Sequence, residues 1–223
     1  MHKTIRYTFL LATLTASSFA SVVSVINPVD LNASDSVDWA QLGPDFTTVS
    51  SPVGAISAGG NVVSAQNGTN DFYVVQQGNT WNGNFNPTDT VLYNQAAGNV
   101  TIMFLNPVAG VGARFQSVDF GAFTIFITAF DSGNSFLGSV STTGTSNANA
   151  DGSAAFLGVL SSNADIASVV VNVTLGAVDN AFALGSLSIA EQPVPGVPEP
   201  STMFLAIGGM LACVARRLKT RSR

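Results

Sequence analysis

The stretch Gly78-Asn79-Thr80-Trp81-Asn82-Gly83-Asn84-Phe85-Asn86 places aromatic rings beside side-chain amides. A neutral sugar stacks its C–H groups on an aromatic face and bonds its hydroxyls to amides. This stretch therefore predicts a glycan-binding loop. The predicted contacts are Trp81, Asn82, Asn84 and Phe85, with contributions from Trp39 and Tyr73. The alternative, and the commoner use of such residues, is a loop whose Trp and Phe cap the protein core while Asn and Gly satisfy turns.

A second set of polar side chains lies in a hairpin loop and near a strand start: Asp131, Asn134, Asp179 and Asn180. Carboxylate and amide oxygens are ligands that Ca²⁺ prefers, so these four residues are candidates for a structural Ca²⁺ site. No EF-hand loop or glycine-aspartate repeat accompanies them. Asp and Asn also form turns through local hydrogen bonds, so both interpretations stay open, and no other cofactor is indicated.

Histidine and cysteine occur once each, as His2 and Cys213, near the two ends of the chain. The intervening sequence therefore offers no Cys or His zinc ligand, no disulfide and no His-activated nucleophile. Glycoside hydrolysis would need a pair of carboxylates. The only glutamates, Glu191 and Glu199, lie in a proline-rich segment and in the tail. We therefore predict a protein that is not an enzyme.

Charge is unevenly distributed along the chain. All thirteen acidic residues lie between Ser21 and Pro200, where Arg114 is the only Lys or Arg, so this interval has a net charge of −12. Such a surface repels phosphate backbones and anionic lipids, which excludes nucleic acid as a partner. On an alternating strand Arg114 shares a face with Gln116. We expect it to pair with an acid such as Asp119.

Short β-branched and aromatic runs, separated by turn residues, recur through residues 21–190. Residues 101–105 and 169–173 alternate with period two, as half-buried strands do. Residues 123–130 and 135–141 predict a hairpin over Asp131-Ser132-Gly133-Asn134. Many short strands with such turns favour one all-β domain over residues 21–190, an antiparallel β-sandwich of jelly-roll type.

Residues 197–223 contain three segments in series. Val197-Pro198-Glu199-Pro200 is acidic and stiffened by proline, and residues 201–215 are uncharged and apolar. The basic tail, residues 216–223, carries Arg216, Arg217, Lys219, Arg221 and Arg223. At about 1.5 Å per residue the apolar run makes roughly 22 Å of helix, shorter than the roughly 30 Å hydrocarbon core. We predict a single transmembrane helix, extended by arginine stems and with its basic end in the cytoplasm.

This order of segments resembles the PEP-CTERM sorting signal of Gram-negative bacterial envelope proteins. The resemblance implies recognition at Pro198-Glu199-Pro200 by a membrane-embedded exosortase, removal of the tail, and delivery to the cell surface or extracellular matrix. The alternative is a permanent anchor that is never cut. The hairpin, residues 156–159 and residues 178–182 also resemble the sandwich domains found upstream of such tails. That second resemblance implies a lectin-like fold without assigning an activity.

Residues 1–20 have the pattern of a secretory signal peptide. Lys3 and Arg6 precede an apolar run, and Ser18-Phe19-Ala20 offers small residues before a cut after Ala20. Residues 191–196 predict an extended, proline-rich linker. We expect a protein that the secretion machinery exports through the inner membrane and that its tail anchors transiently. At the surface its domain would bind neutral polysaccharide or act as a non-catalytic, self-associating structural component.

Overall fold

The computed structural model describes residues 22–192. The predicted signal peptide, residues 193–196 of the linker, the sorting motif, the apolar run and the basic tail lie outside the described residues. Residues 22–192 contain no helix long and apolar enough to cross a membrane. Their helical segments are two 3₁₀ turns, Pro28–Leu31 and Trp39–Leu42. The predicted transmembrane helix therefore stays a prediction.

The described residues are dominated by β-strands. The strands are β1 (Val23–Val25), β2 (Asp35–Val37), β3 (Thr47–Val49), β4 (Val53–Ile56), β5 (Val62–Gln66), β6 (Phe72–Gln76), β7 (Thr90–Tyr93), β8 (Val100–Val108), β9 (Gly110–Ser117), β10 (Gly121–Phe130), β11 (Phe136–Ser146), β12 (Ala155–Leu160), β13 (Ile166–Leu175), β14 (Val178–Asp179), β15 (Phe182–Leu184) and β16 (Leu187–Ala190). Each pairing between these strands is antiparallel.

The strands form two sheets. Sheet A has nine strands and follows the order β1-β12-β9-β15-β7-β6-β3, while β16 pairs with both β9 and β2. Sheet B has seven strands in the order β11-β10-β13-β8-β5-β4, and β14 pairs with β13. One core contains side chains from both sheets, so the fold is a β-sandwich. The all-β prediction is confirmed, whereas the jelly-roll type stays a prediction.

Alternation along the strands builds the core between the sheets. Phe115 and Leu157 of sheet A and Ile127 and Val171 of sheet B are buried in the same apolar cluster. Burying each such side chain contributes roughly 1.5–3 kcal/mol before the entropy cost of ordering it. Successive side chains point to opposite faces of a sheet. The residues next to each of these four along its strand therefore point outward. The outer face of sheet A is therefore free to carry a second set of contacts.

The predicted hairpin is present as β10 and β11. Their register pairs Gly121 with Ser146 and shifts between Ala129 and Phe130, and the predicted loop Asp131-Ser132-Gly133-Asn134 lies in the connection. In that loop Asn134 adopts φ 60° and its N–H donates to the Asp131 carbonyl at 3.0 Å. The Asp-Ser-Gly-Asn sequence thus forms the turn of the hairpin, as its composition indicates.

Candidate ligand-binding groove

A second apolar cluster covers the outer face of sheet A. On β6, Phe72 and Val74 point into the main core, whereas Tyr73 and Val75 belong to the outer cluster. The loop between β6 and β7 folds over this face and adds Trp81 and Phe85. The loop predicted to bind glycan therefore lies on the outer face of sheet A.

Trp81 is held in this loop by backbone and side-chain contacts. Its N–H donates to the Gln76 carbonyl at 3.0 Å, and its indole Nε1 donates to Oε1 of Gln116 at 3.3 Å. Its ring lies 5.2 Å from that of Tyr93 at an interplanar angle of 52°. Only 7% of its surface is exposed. Trp81 therefore forms a fixed wall and offers a ligand only part of its ring.

Asp45 connects the Trp81 loop to the segment before β3. Its carboxylate accepts a hydrogen bond from the Gln76 N–H at 2.7 Å. It also accepts hydrogen bonds from the Asn79 amide and the Thr80 hydroxyl. These contacts fix the position of Phe46, the next residue in the chain.

Phe46 presents an exposed aromatic ring beside the loop. Its backbone adopts φ 67°, a left-handed conformation that costs energy for a bulky side chain. The Phe46 N–H donates to the Val74 carbonyl at 2.7 Å, and its ring stacks on Tyr73 at 5.3 Å and 7°. Even so, 65% of Phe46 faces solvent. The strained backbone at this residue therefore holds an apolar ring in an exposed position.

These side chains enclose a groove of about 340 Å³, within the size range of small-ligand sites. It is lined by Phe46, Tyr73, Val75, Thr80, Trp81, Asn82, Tyr93, Val118 and Phe120. None of these side chains is charged at neutral pH. Burial raises the pKa of the Tyr93 phenol, and the nearby charge of Asp119 raises it further, so Tyr93 remains a hydroxyl. The groove therefore combines aromatic faces with hydroxyl and amide groups.

Asn84 and Phe85, predicted as glycan contacts, are buried beneath the loop. The Asn84 amide donates to Oδ1 of Asn147 at 2.8 Å and to Oγ of Ser153 at 3.0 Å, and its oxygen accepts from the Asn147 N–H at 2.7 Å. Trp39 is also fully buried, and its Nε1 donates to the Gly185 carbonyl at 2.9 Å. These three side chains occupy the core-capping positions of the alternative interpretation.

The groove thus joins part of the predicted set to residues that the sequence analysis missed. Trp81, Asn82 and Tyr73 line it as predicted, whereas Phe46 and Phe120 were not anticipated. The sequence feature that could have indicated Phe46 as a site residue is an isolated aromatic residue in a turn-rich segment, Gly43-Pro44-Asp45-Phe46. Nothing in the local pattern indicated that the two segments meet.

The four predicted Ca²⁺ ligands do not converge on one site. Phe130, next to Asp131, pairs with Ser168 at one end of β13, while Asp179 pairs with Thr174 near the other end. Six residues of strand separate these positions by about 20 Å. No group of three or more His, Cys, Asp or Glu within residues 22–192 is arranged to hold a metal.

Local hydrogen bonds account for the same side chains. Oδ1 of Asp131 accepts from the N–H groups of Gly133 at 2.8 Å and Ser135 at 2.7 Å. Oδ1 of Asp179 accepts from the Asn172 amide at 2.8 Å, and the Asn180 amide donates to Oδ2 of Asp119 at 2.8 Å. Within the described residues, these four side chains therefore do not form a single Ca²⁺ site.

Arg114 does not form the predicted pair with Asp119. Its Nη1 donates to the carbonyls of Gly152 at 2.9 Å and Ala154 at 2.7 Å, rather than to Asp119. It lines a second pocket, of about 230 Å³, together with Asp89. The Asp89 carboxylate accepts from the Asn86 N–H at 3.0 Å. Arg114 donates to backbone carbonyls, and Asp89 accepts from the backbone and the side-chain amide of Asn86. We therefore assign both side chains a structural role.

Comparisons with known proteins assign this chain to no family. No protein-family model matches the chain, and no curated protein matches it significantly. A DUF4465 family protein from Bacteroides caccae is similar over 75% of this chain and 99% of its own, with 8% identity and a TM-score of 0.41. CsCBM6-3 from Clostridium stercorarium, solved in complex with cellobiose, is similar over 67% of this chain and 98% of its own, with 11% identity and a TM-score of 0.33. Both likenesses are too remote to assign a fold or a function.

Proposed function

We propose that the described domain is a non-catalytic binding module that holds a neutral polysaccharide in the groove on sheet A. The observation that carries this proposal is an uncharged groove, walled by Phe46, Tyr73, Trp81 and Phe120, on an otherwise acidic chain. Stacking of sugar C–H groups on these rings would remove exposed apolar surface from water. Thr80, Asn82 and Tyr93 supply hydroxyl and amide partners for sugar hydroxyls.

The lining of the groove favours a neutral ligand. An anionic polymer would gain no positive partner in the groove and would meet the repulsion of the surrounding acids. Hydrolysis of a bound glycan would need two carboxyl groups flanking the bond, and no carboxylate lines the groove. Retention of an intact chain is therefore the activity that these side chains support.

We also propose that the protein is exported and reaches the cell surface or extracellular matrix through its PEP-CTERM tail. The basic, apolar and small-residue order of residues 1–20 supports export. Pro198-Glu199-Pro200, followed by the apolar run and the basic cluster, supports sorting by an exosortase. A matrix location would place the groove among polysaccharides.

Substitutions of the exposed rings test glycan binding. We expect Phe46→Ala and Phe120→Ala each to weaken retention of the full-length chain in native gels containing neutral glucan, mannan or xylan. Loss of a stacked ring worth about 1.4 kcal/mol gives about a tenfold weaker apparent Kd. Trp81→Ala is a poorer test because Trp81 is largely buried, and its truncation would also lower stability.

Val29→Ala is the control. Val29 is 82% exposed and lies in the 3₁₀ turn Pro28–Leu31, outside both the groove and sheet B. This control variant should be retained like the unmodified chain. Retention of Phe46→Ala and Phe120→Ala equal to that of Val29→Ala on each polysaccharide would contradict the proposal.

A further inference from the structure

Six of the seven strands of sheet B contain no charged residue. The strands are β4, β5, β8, β10, β11 and β13, and their sequences lack Asp, Glu, Lys, Arg and His. The seventh strand, β14, carries Asp179, which pairs with Thr174 near one end of β13. The other acids of the described residues lie on sheet A, in a 3₁₀ turn and in loops. Solvent-exposed faces of antiparallel sheets normally carry polar and charged residues. Sheet B therefore has an unusual outer face.

An exposed apolar stripe crosses this face from one edge to the other. Ile56 pairs with Val62, and the register of β5 with β8 places Val62 beside Leu105. On the same face of β8, Met103 pairs with Ser168, which pairs in turn with Phe130. The exposed members of the stripe are Ile56, Val62, Met103, Leu105 and Phe136, and Leu105 is 70% exposed.

Hydroxyl groups flank Phe126 on the part of the face that β10 and β11 form. Thr124 pairs with Thr143, and Thr128 pairs with Ser139, whose hydroxyl lies 3.1 Å from that of Thr128. Such side chains donate as well as accept hydrogen bonds, so a row of hydroxyls can bond to an identical row. A surface of this kind is complementary to itself.

The distribution of charge favours a second copy of this chain as the partner that covers the outer face of sheet B. A basic partner would be drawn to the acids on other surfaces and would gain no ion pair on sheet B. Two copies of this acidic chain repel one another through most orientations. They can approach through their sheet B faces without bringing carboxylates together at the centre of the contact.

The area of the face is sufficient for a specific dimer. Six strands at about 4.8 Å spacing are roughly 25 Å wide, and strands of 9 to 11 residues are roughly 30 Å long. Allowing for the shorter β4 and β5, the face covers roughly 700 Å² per copy. Standard interfaces bury about 800 Å² per partner.

We propose that a second copy of this chain packs on the outer face of sheet B, related by a two-fold axis. The apolar stripes bury one another, and the hydroxyl rows of the two copies face each other. The groove on sheet A lies on the opposite side of the sandwich, so the dimer leaves it accessible. This inference is independent of the proposed glycan binding.

Cysteine cross-linking in intact cells tests the dimer with the full-length chain. In a Cys213→Ser background, Met103→Cys places the only thiol on the stripe, and Val29→Cys places it on an 82% exposed residue outside sheet B. With a bis-maleimide reagent we expect a covalent homodimer from Met103→Cys, identified by a mass of two chains plus linker. We expect no such product from Val29→Cys.

A charge on the stripe should abolish this product. Leu105→Asp, added to Met103→Cys, should lower the dimer yield at least tenfold, because two carboxylates would be buried together. Val29→Asp makes the same change of charge at an exposed aliphatic residue and should leave the yield unchanged. Urea unfolding of both variants checks that each is folded. Monomer alone from Met103→Cys, a product with a different protein, or a yield insensitive to Leu105→Asp would overturn the inference.

Discussion

Asp35 is a carboxylate held inside the described domain. Burial raises the pKa of its carboxyl, but the nearby Ser57 side chain and hydrogen bonds from the N–H groups of Gly59 and Ser36 outweigh burial. The backbone distances to Oδ1 are 2.6 Å for Gly59 and 2.7 Å for Ser36. The net pKa lies below its ordinary value, so the ionised carboxylate stabilises the native state and ties β2 to the β4–β5 connection.

This lowered pKa predicts a pH-dependent contribution to stability. A depressed folded-state pKa stabilises the protein above the unfolded value, about 3.9, and the contribution is lost as the pH falls through the folded-state pKa. Asp35→Asn should therefore lower the free energy of unfolding at pH 6 by about 1–3 kcal/mol. At pH 3 the difference from the unmodified chain should be smaller.

Urea unfolding of the full-length chain at the two pH values measures this difference. The exposed Asp71 provides the control, since Asp71→Asn should change the free energy of unfolding little at either pH. A penalty for Asp35→Asn that is equal at pH 6 and pH 3 would show that the side-chain charge is not the stabilising feature.

Among the elements, β9 and β12 approach each other through paired glycines. Gly112 and Gly158 are register partners at the centre of this strand pair. A Cβ added to Gly112 would lie 2.6 Å from Cζ of Phe156, 2.8 Å from Cα of Gly158 and 3.0 Å from the Leu157 carbonyl. Two of these three atoms belong to the backbone, so the contact cannot be relieved by a rotamer change alone.

Gly112→Ala should therefore destabilise the domain by about 1–3 kcal/mol, the usual cost of overpacking a closed site. Gly54→Ala on β4 is the control, because its Cβ would meet nothing within 4 Å. Equilibrium denaturation of both variants should show a lower transition midpoint for Gly112→Ala alone. Equal midpoints would mean that the two strands can separate without cost.

The longer strands were predictable because their alternation is visible in the sequence. The alternating residues 101–105 and 169–173 lie within β8 and β13, whereas β1, β2 and β3 contain three residues each and show no usable period. Strands β15 and β16 are separated at Gly185-Ser186, where the Gly185 N–H donates to the Arg114 carbonyl at 2.8 Å. That bond joins residues far apart in sequence, which no local pattern reports.

The site was only partly predictable for the same reason. Composition indicated an aromatic and amide-rich loop, and Trp81 and Asn82 do line the groove. The exposure of Phe46 depends on Asp45, whose partner Gln76 lies 31 residues further along the chain. The separation of Asp131 from Asp179 depends on the register of β13. Long-range pairing therefore determined which candidate side chains meet.

At the scale of the whole molecule, the two uncharged surfaces belong to opposite sheets. The groove lies on sheet A and the apolar stripe on sheet B, while most acids occupy turns and loops. In the proposed dimer the two grooves would face away from each other. Two linked sites raise retention on one polymer, because the second binding event occurs at a high effective concentration.

The proposed sorting route makes a prediction about the whole chain. The intact mass of the native protein, recovered from cell-envelope and culture fractions, should correspond to a species that begins at Ser21. This species should end between Pro198 and Ser201, because the proline content of the linker before the motif predicts an extended segment that a protease can reach. The matched control replaces Pro198, Glu199 and Pro200 with Ala and leaves the apolar run and basic cluster intact. This variant should keep Arg223 and remain in the envelope. An unmodified protein that still carries Arg223 would instead make the tail a permanent anchor and the groove a membrane-tethered binding site.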